Sequence, residues 1–376
     1  MDDRFISKAK KNMKYLSYIL LYLVSLPLRL LFKIDNNLLV FSSRGGIGYE
    51  GNSKYLFLYT NRNTNFDCVW ISKSKKIVSD LKNEGFRVCY YFSWKAIKLA
   101  LSAKAVFITH SLSDVMPVFY NKKTLVIDLW HGVPIKRISF LDKNLKFRSR
   151  LMDVIKSRRV DFMISNSVEF VQIYSKSFKI SEKKIKSFGQ PKIEFLQNSK
   201  VFVSKLENFF PDKKEIILYA PTFRDYEFLN PIFTDKYLRW LNEEMEKLNS
   251  LFYIKVHPHE KSPDIKCFNN VNIFDSKTDI YNLYPYISHI ISDYSSTFLD
   301  FISGFPDRKV SLFIPDFEEY KLNRDFNFDF KEKFGYLICS DPKLFFKAPN
   351  KANDNLINFI NPKSNSCERI LKLISD

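Results

Sequence analysis

The chain has 376 residues, a length that predicts about two domains. Apolar residues make up 45% and charged residues 27%, which is typical of a folded globular protein and excludes an intrinsically disordered one. The 59 Lys and Arg residues exceed the 41 Asp and Glu residues and leave a formal charge of +18, which favours an acidic partner such as nucleic acid, anionic lipid or a phosphate-rich substrate.

Cysteine and histidine usage argues against a metal centre. The five cysteines are scattered and form no CxxC pair, which excludes a disulfide framework and a thiolate zinc cluster and suits the reducing cytoplasm. Five histidines, none of them in an HExxH pattern, offer little material for catalytic zinc. We therefore predict no metal site.

The amino-terminal segment combines lysines with an apolar run. Lysines at positions 8, 10, 11 and 14 precede residues 15–32, an apolar stretch that Pro27 and Arg29 interrupt. This run is too broken for a spanning helix, and no cleavage site of a signal peptide follows it. We predict an interfacial helix within residues 1–34 that binds the anionic cytoplasmic face of the cell membrane peripherally. A docking helix buried on the domain itself is the alternative.

From Leu38 onward, short β-rich runs alternate with helical patterns, which is typical of a parallel α/β sheet. The first series predicts strands at Leu38–Ser42, Cys68–Ser72, Arg87–Phe92, Ala105–Thr109 and Thr124–Leu129, with helices at Ser53–Thr60, Ile77–Glu84 and Trp94–Ala100. A second series predicts strands at Phe162–Ser165, Lys186–Ser187, Ile216–Ala220, Leu251–Val256, near Ile273, and at His289–Ser292 and Val310–Phe313.

This alternation predicts two Rossmann-like domains that face a central cleft. We place the first over residues 35–200 and the second over residues 201–376, joined by the charged segment Asn198–Lys214. In folds of this kind a ligand binds beyond the carboxyl ends of the strands.

A glycine cluster follows the first predicted strand. Gly46, Gly48 and Gly51 match the GxGxxG pattern of dinucleotide-binding proteins. The acidic residue that should hold the ribose is missing at the end of the second strand, where Lys73 and its neighbours lie. We therefore favour a tight turn that lines the cleft over a dinucleotide site.

His131 lies directly after a strongly apolar strand and is followed by Gly132 and Pro134. This context presents the imidazole on a loop at the carboxyl end of a strand. Because an imidazole titrates near neutral pH, His131 is a candidate general base for a hydroxyl group. An ordinary loop histidine is the alternative.

Lys255 and His257 repeat this arrangement after the strand of the second half, and Pro258 stops the sheet there. A cation or a donor at this place can hold a phosphate or neutralise a leaving group. Metal chelation by His257 and His259 competes with this interpretation, although no third ligand lies at metal-site spacing.

Two further strand-ending loops carry groups that suit an anion. The segment Ser292–Thr297 offers hydroxyls and free amides at the start of a helix, where a plain N-cap is the alternative. Arg224, in the loop Ala220–Asp225, can contact a phosphate or a carboxylate in bidentate geometry.

In combination these motifs resemble the CDP-glycerol glycerophosphotransferases, the family of teichoic-acid primases, polymerases and related capsule enzymes. The resemblance extends over about residues 38–330 and rests on stretches that begin at Ser43, Leu129, Gly189, Tyr219, Lys255, Ser292 and Pro315, with WHGVPIK and SDYSS the most specific. Two departures from the family pattern are Lys192, where an arginine is usual, and the missing Pro-Gly after Tyr320.

The resemblance implies a GT-B architecture without a tightly held metal or other cofactor. It implies transfer of an alditol phosphate, most simply glycerol phosphate, from a CDP-alditol donor to a hydroxyl of a lipid-linked or capsular glycan acceptor, with release of CMP. His131 would act as the base and His257 would help CMP leave. The donor side would comprise Thr222, Arg224, Lys255, Asp293, Ser295, Ser296 and Thr297, and the acceptor side Gly45, Gly46 and Lys136.

Two other functions remain alternatives. A nucleotide-sugar glycosyltransferase of GT-B fold uses the same scaffold. A nucleic-acid-binding protein fits the charge, but the chain has no zinc-finger spacing, RNP-like aromatic motif or basic helix array, so we expect no nucleic-acid partner.

Overall fold

Two parallel β-sheets organise the part of the chain that the structure describes. The structure is a computed structural model, and it describes residues 20, 23–116, 120–198, 214–224, 226, 228–256, 265, 268–274, 278–346, 351–360 and 364–375. We call the part built on the first sheet the first lobe and the part built on the second sheet the second lobe.

The first lobe contains seven parallel strands in the order β3-β2-β1-β4-β5-β6-β7. They are β1 (Asp35–Phe41), β2 (Asp67–Ser72), β3 (Val88–Tyr90), β4 (Ala103–Ile108), β5 (Leu125–Asp128), β6 (Phe162–Ile164) and β7 (Ile185–Lys186). The strand order reverses between β1 and β4, which is the switch point at which Rossmann folds bind their ligands. Five of these strands lie within or next to their predicted positions in the first series.

The second lobe repeats this topology with six parallel strands in the order β10-β9-β8-β11-β12-β13. They are β8 (Glu215–Tyr219), β9 (Ser250–Ile254), β10 (Val271–Ile273), β11 (Ile287–Ser292), β12 (Lys309–Phe313) and β13 (Ile338–Cys339). The prediction of two Rossmann-like domains is therefore confirmed. The short strand β13 was not predicted from the sequence.

Helices cover the faces of both sheets. In the first lobe they span Gly51–Asn63, Lys75–Asn83, Trp94–Ser102, Phe147–Arg159, Val171–Phe178 and Pro191–Gln197. In the second they span Asp235–Lys247, Ile280–Leu283, Thr297–Gly304, Phe317–Arg324, Phe330–Phe334 and Asp354–Ile360. Local capping fixes some starts: the Ser74 and Ser93 hydroxyls accept hydrogen bonds from backbone amides of the first turns that follow them.

The last helix, Ser366–Ser375, returns to the first lobe. Its buried residues Cys367, Ile370 and Ile374 share a hydrophobic cluster with Phe41 and Trp70 of the first sheet. The Cys367 amide also donates to Glu194 Oε2 at 2.8 Å. The predicted second domain over 201–376 therefore differs from the observed packing at its carboxyl end, because hydrophobic burial places this helix on the opposite lobe.

The predicted amino-terminal helix lies mostly outside the described residues. Residues 23–31 are helical, and Phe32 packs against the core. Asn121 Nδ2 holds this segment by donating to the Arg29 and Phe32 carbonyls, both at 3.3 Å. Most of the predicted linker, residues 199–213, also lies outside the described residues. No helix among the described residues combines the length and apolar character that crossing a membrane requires.

Candidate active site between the two lobes

The carboxyl ends of the strands of both sheets meet at a cleft. We call residues 130–137, after β5, the histidine loop and residues 292–297, after β11, the hydroxyl loop. A Cβ atom added to Gly132 would lie 2.6 Å from Ser296 Oγ and 3.4 Å from Ser296 Cβ, so the two loops are in contact. The structure thus brings His131 and the predicted phosphate-binding hydroxyls to the same place.

Further contacts fix how the lobes meet. Lys54 Nζ pairs with Asp279 at 2.8 Å, and Arg137 Nη1 pairs with Asp325 at 2.8 Å. Lys136 forms an isolated antiparallel bridge with Phe326. Lys136, predicted on the acceptor side, therefore lies at the junction with the second lobe, 5.9 Å from the centre of the Tyr320 ring.

The backbone before His131 is held in a strained conformation. Trp130 has φ of 51°, in the left-handed region that costs a non-glycine residue about 1–3 kcal/mol. Asp128 Oδ1 accepts the Trp130 amide at 3.0 Å. The buried Asn52 side chain donates to the Leu129 and Trp130 carbonyls, both at 3.0 Å. These contacts fix the turn that directs His131 into the cleft.

The His131 ring has the tautomer that a general base needs. Nδ1 lies 3.0 Å from the Thr109 carbonyl oxygen. Because a carbonyl only accepts hydrogen bonds, Nδ1 carries a proton, and in the neutral ring the lone pair is then on Nε2. The ring stacks on His110, with centroids 4.1 Å apart and planes 8° from parallel, and it also contacts Trp130. His131 is an exposed residue, although its ring packs against these neighbours.

The environment keeps His131 neutral. Desolvation by the surrounding protein, followed by the proximity of His110, lowers the pKa of His131 well below its usual 6.5. Lys192 and Lys156 act in the same direction, while the Thr109 hydrogen bond opposes them. The neutral imidazole is therefore the form present at neutral pH.

We expect the acid limb of the pH profile of kcat/KM to lie below pH 6.5. A base must be unprotonated to act, so activity persists at neutral pH and falls only when the pH drops through the lowered pKa of His131. Initial rates measured from about pH 8 to about pH 5 check this. An acid limb centred above pH 6.5 would contradict the environment described for His131.

His110, on the loop after β4, was missed from the sequence. The Thr109 hydroxyl donates to Asp114 Oδ2 at 3.1 Å, so it accepts from His110 Nδ1 at 2.9 Å. Asp114 also accepts the backbone amides of Thr109, His110 and Gly45. This carboxylate fixes the stacked imidazole pair and the glycine turn together. The sequence signal that could have identified His110 is its position directly after the predicted strand Ala105–Thr109.

A buried ion pair lies next to the two stacked histidines. Lys156 Nζ lies 2.5 Å from Asp128 Oδ2 and donates to the His110 carbonyl at 2.8 Å. Both side chains are almost fully buried. The sequence did not predict this ion pair, since Lys156 lies on the helix Phe147–Arg159 and Asp128 ends β5.

Gly45 and Gly46, predicted on the acceptor side, form the turn after β1. Their φ values are 65° and 83°, which favour glycine. The Gly46 carbonyl accepts the Lys73 amide at 2.7 Å, and the Gly45 amide donates to Asp114 at 2.9 Å. The structure thus gives these residues a tight turn beside the histidine pair.

Three predicted donor-side residues bind one another. Asp293 accepts hydrogen bonds from the Thr222 amide and hydroxyl and from Arg224 Nη1. Arg224 also donates from Nε and Nη2 to the two oxygens of Asp316, at 2.7 and 3.1 Å. In the structure the bidentate partner of Arg224 is thus the Asp316 carboxylate, and its predicted phosphate contact stays a prediction. Asp293 therefore joins the loops after β8 and β11, and its predicted place on the donor side stays a prediction.

The hydroxyl loop offers a separate set of groups. Ser295, Ser296 and Thr297 are half-buried at the start of the helix Thr297–Gly304. Ser295 Oγ contacts Thr297 Oγ1 at 2.6 Å and accepts the Thr297 amide at 3.2 Å. Ser296 is the N-cap residue but makes no side-chain cap bond, and its hydroxyl lies against Gly132. The Ser295–Thr297 bond is the kind that the N-cap alternative expects, and the predicted phosphate contact of these hydroxyls stays a prediction.

Lys255, also predicted on the donor side, is half-buried just after β9. Burial raises the pKa of Glu50, and the positive charges of Arg44, Lys54 and Lys255 oppose this shift. His257, predicted to be catalytic, and His259 lie outside the described residues. Within the part of the chain that the structure describes, no group of three or more potential ligands could hold a metal ion.

Two Rossmann-like lobes whose histidine loop and hydroxyl loop are in contact have a GT-B-like arrangement. The family model for CDP-glycerol:poly(glycerophosphate) glycerophosphotransferases matches residues 24–355, and the chain belongs to this family.

The chain is similar to two teichoic acid enzymes. It is 25% identical over 360 residues to a teichoic acid glycerol-phosphate transferase of Staphylococcus aureus, covering 89% of each chain. It is 26% identical over 359 residues to a teichoic acid poly(glycerol phosphate) polymerase of Bacillus spizizenii, covering 86% of each. The solved wall teichoic acid polymerase TagF shares the fold, with a TM-score of 0.76 at 20% identity over 91% of this chain and 89% of that one.

Proposed function

We propose that the protein transfers glycerol phosphate from CDP-glycerol to a hydroxyl of a lipid-linked or glycan acceptor, with release of CMP, in the synthesis of a teichoic-acid-like or capsule polymer. Family membership supports the reaction class, and a TagF variant has been solved after soaking with CDPG. The observation that carries the site assignment is the His131 imidazole, whose Nδ1 is bonded to the Thr109 carbonyl on a loop in contact with the hydroxyl loop.

The reaction is a displacement at the phosphorus attached to glycerol. The acceptor oxygen forms a new bond to this phosphorus, the bond to the bridging oxygen of CMP breaks, and CMP leaves with the electron pair. The acceptor proton passes to His131 Nε2. Positioning and charge stabilisation dominate the rate gain in phosphoryl transfer, so the hydroxyl loop and Lys255 would hold the phosphates. His257 would then stabilise the departing CMP.

Release of CMP tests this function directly. We expect the protein to release CMP from CDP-glycerol when a lipid-linked or glycan acceptor is present, and to leave a UDP-sugar unchanged. CDP-ribitol in a parallel reaction identifies the alditol. Turnover of a UDP-sugar without turnover of either CDP-alditol would instead support the glycosyltransferase alternative.

The paired substitution of Ser295→Ala and Ser296→Ala should weaken donor binding. Each substitution removes a hydroxyl that would donate a hydrogen bond to the phosphate, so we expect the Kd for CDP-glycerol to rise by about tenfold. Isothermal titration calorimetry measures this Kd without acceptor. Thr234→Ala is a matched control, because it removes a hydroxyl from the same lobe at the start of the helix Asp235–Lys247. An unchanged Kd in the double variant would exclude the hydroxyl loop as the cradle.

We further propose that the first lobe binds an anionic membrane surface at the cytoplasmic face. Exposed apolar residues occupy two neighbouring helical segments: Leu23, Val24, Leu30 and Leu31 in residues 23–31, and Phe147, Leu151, Met152 and Ile155 in the helix Phe147–Arg159. Asn121 links the segments, because it donates to Arg29 and accepts from Arg159. Exposed Lys143, Lys146, Arg150 and Arg158 surround the second segment. Apolar side chains flanked by cations suit an anionic interface.

Replacing Phe147 and Leu151 by serine should release the protein from vesicles. These side chains are 81% and 53% exposed, so the change should spare the fold while removing apolar insertion. We expect the fraction that sediments with phosphatidylglycerol vesicles to fall severalfold. Leu322→Ser is the control, since Leu322 is 88% exposed on the second lobe. An equal loss of vesicle binding in both variants would contradict the proposed surface. So would unchanged vesicle binding in the variant with both Phe147 and Leu151 replaced.

A further inference from the structure

Lys192 places a buried ammonium group between the two lobes. It lies at the start of the helix Pro191–Gln197 in the first lobe, and its side chain has no exposed surface. Nζ donates to Asp300 Oδ2 at 2.7 Å, to the Tyr281 hydroxyl at 2.7 Å and to the His131 carbonyl at 2.8 Å. An ammonium has three hydrogens, so all of its donors are used.

The acceptors of Lys192 connect the two halves of the site. Asp300 lies on the helix Thr297–Gly304, which begins at the hydroxyl loop, and Tyr281 donates to the same Asp300 oxygen at 2.8 Å. On the other side, the Lys192 amide donates to Asn52, the residue that holds the Trp130 carbonyl. Lys192 thus contacts both the strained turn before His131 and the helix of the hydroxyl loop.

A buried ion pair such as Lys192–Asp300 is weak evidence of a gain in stability. Burying an ion pair removes two charges from water, and apolar residues of similar volume are often at least as stabilising. In addition, Asp300 Oδ1 is buried and has no hydrogen-bond partner among the described residues. Packing alone therefore does not account for a charged pair at this position.

We infer that Lys192, held by Asp300 and Tyr281, is a positioning residue. It fixes the position of the His131 imidazole relative to the hydroxyl loop. The inference rests on the proposed role of His131 as the base. Through its carbonyl, His131 is tied to the lobe that holds the donor, so the base and the phosphates keep a fixed separation. In-line transfer requires this separation, because small misplacements of reacting groups cost large factors in rate.

The test separates positioning from stability by removing first one charge and then both. Lys192→Met leaves Asp300 buried without its cation, so we expect both kcat and the free energy of unfolding to fall. Lys192→Met with Asp300→Leu removes both charges, and we expect much of the stability to return. If Lys192 positions His131, kcat for CMP release in the double variant stays about tenfold or more below wild type. Its KM for CDP-glycerol should stay within about threefold.

Recovery of kcat together with stability in the double variant would overturn the inference, because the pair would then serve packing alone. Tyr281→Phe is a milder variant in case the others do not fold. It removes one hydroxyl from the network, and we expect kcat to fall by about threefold to tenfold at unchanged KM. Wild-type kcat in this variant would also count against the inference.

A second readout does not depend on activity. The charge of Lys192 helps to lower the pKa of His131, so in the double variant this pKa should rise in an NMR titration of the histidine ring carbons. If the wild-type protein releases no CMP, the proposed function fails while this titration still tests the contact. An unchanged pKa of His131 would show that Lys192 does not control its surroundings.

Discussion

Replacement of His131 by alanine is expected to lower the turnover of CMP release by about 100-fold or more, the usual contribution of a general base. The reason lies in the geometry of the ring: Nδ1 donates to the Thr109 carbonyl, so in the neutral ring Nε2 is the nitrogen that can accept a proton. Turnover is measured with saturating CDP-glycerol and acceptor, and circular dichroism confirms that the variant is folded. Turnover within a few-fold of wild type would remove His131 from the role of base.

Chemical rescue distinguishes a missing base from a distorted cleft. Added imidazole can enter the space left by the ring and accept the acceptor proton, so we expect it to restore part of the activity of His131→Ala. Restoration should follow the neutral fraction of imidazole as the pH is varied. His289→Gln is the control, because His289 is a buried histidine of the second lobe bonded to Ser311 and should retain turnover.

The substitution Arg224→Met should destabilise the protein by about 3–5 kcal/mol, the range found when one partner of a buried ion pair is removed. Arg224 is 8% exposed and contacts both Asp293 and Asp316, so methionine leaves two carboxylates without their cation. Urea denaturation followed by tryptophan fluorescence measures the change.

Arg224→Lys separates charge from shape. Lysine keeps one positive charge but loses the planar fork that pairs with Asp316, so we expect an intermediate loss of stability. The sequence-based interpretation of Arg224 as a phosphate ligand predicts a different result: unchanged stability with a raised KM for CDP-glycerol in both variants. That result would instead support direct contact between Arg224 and the donor phosphate.

The fold was predictable from local patterns. Apolar runs such as Leu125–Asp128 are buried in the sheet, and their spacing by helical segments allows only parallel pairing with crossovers. His131 and Ser296 each follow the carboxyl end of a parallel strand, so each is expected at the ligand-binding edge of its sheet. The structure brings their loops into contact. Strand ends carry this information because a parallel sheet aligns them.

Pairing between distant charged residues was not predictable. Arg224 and Asp316 are separated by 92 positions, and Lys192 and Asp300 by 108. A lone arginine on a strand-ending loop has the same local sequence context whether its partner is a ligand phosphate or a carboxylate of the protein. Only the tertiary structure determines which anion is within reach.

The return of the helix Ser366–Ser375 to the first lobe has a consequence for dissecting the enzyme. Ile370 and Ile374 cover apolar side chains of the first sheet, so a fragment limited to the amino-terminal half would expose this surface to water. One hydrophobic cluster also includes residues of both lobes, among them Val40 and Ile290. Separately expressed halves should therefore aggregate, whereas the two halves produced together have the complementary surfaces needed to reassemble.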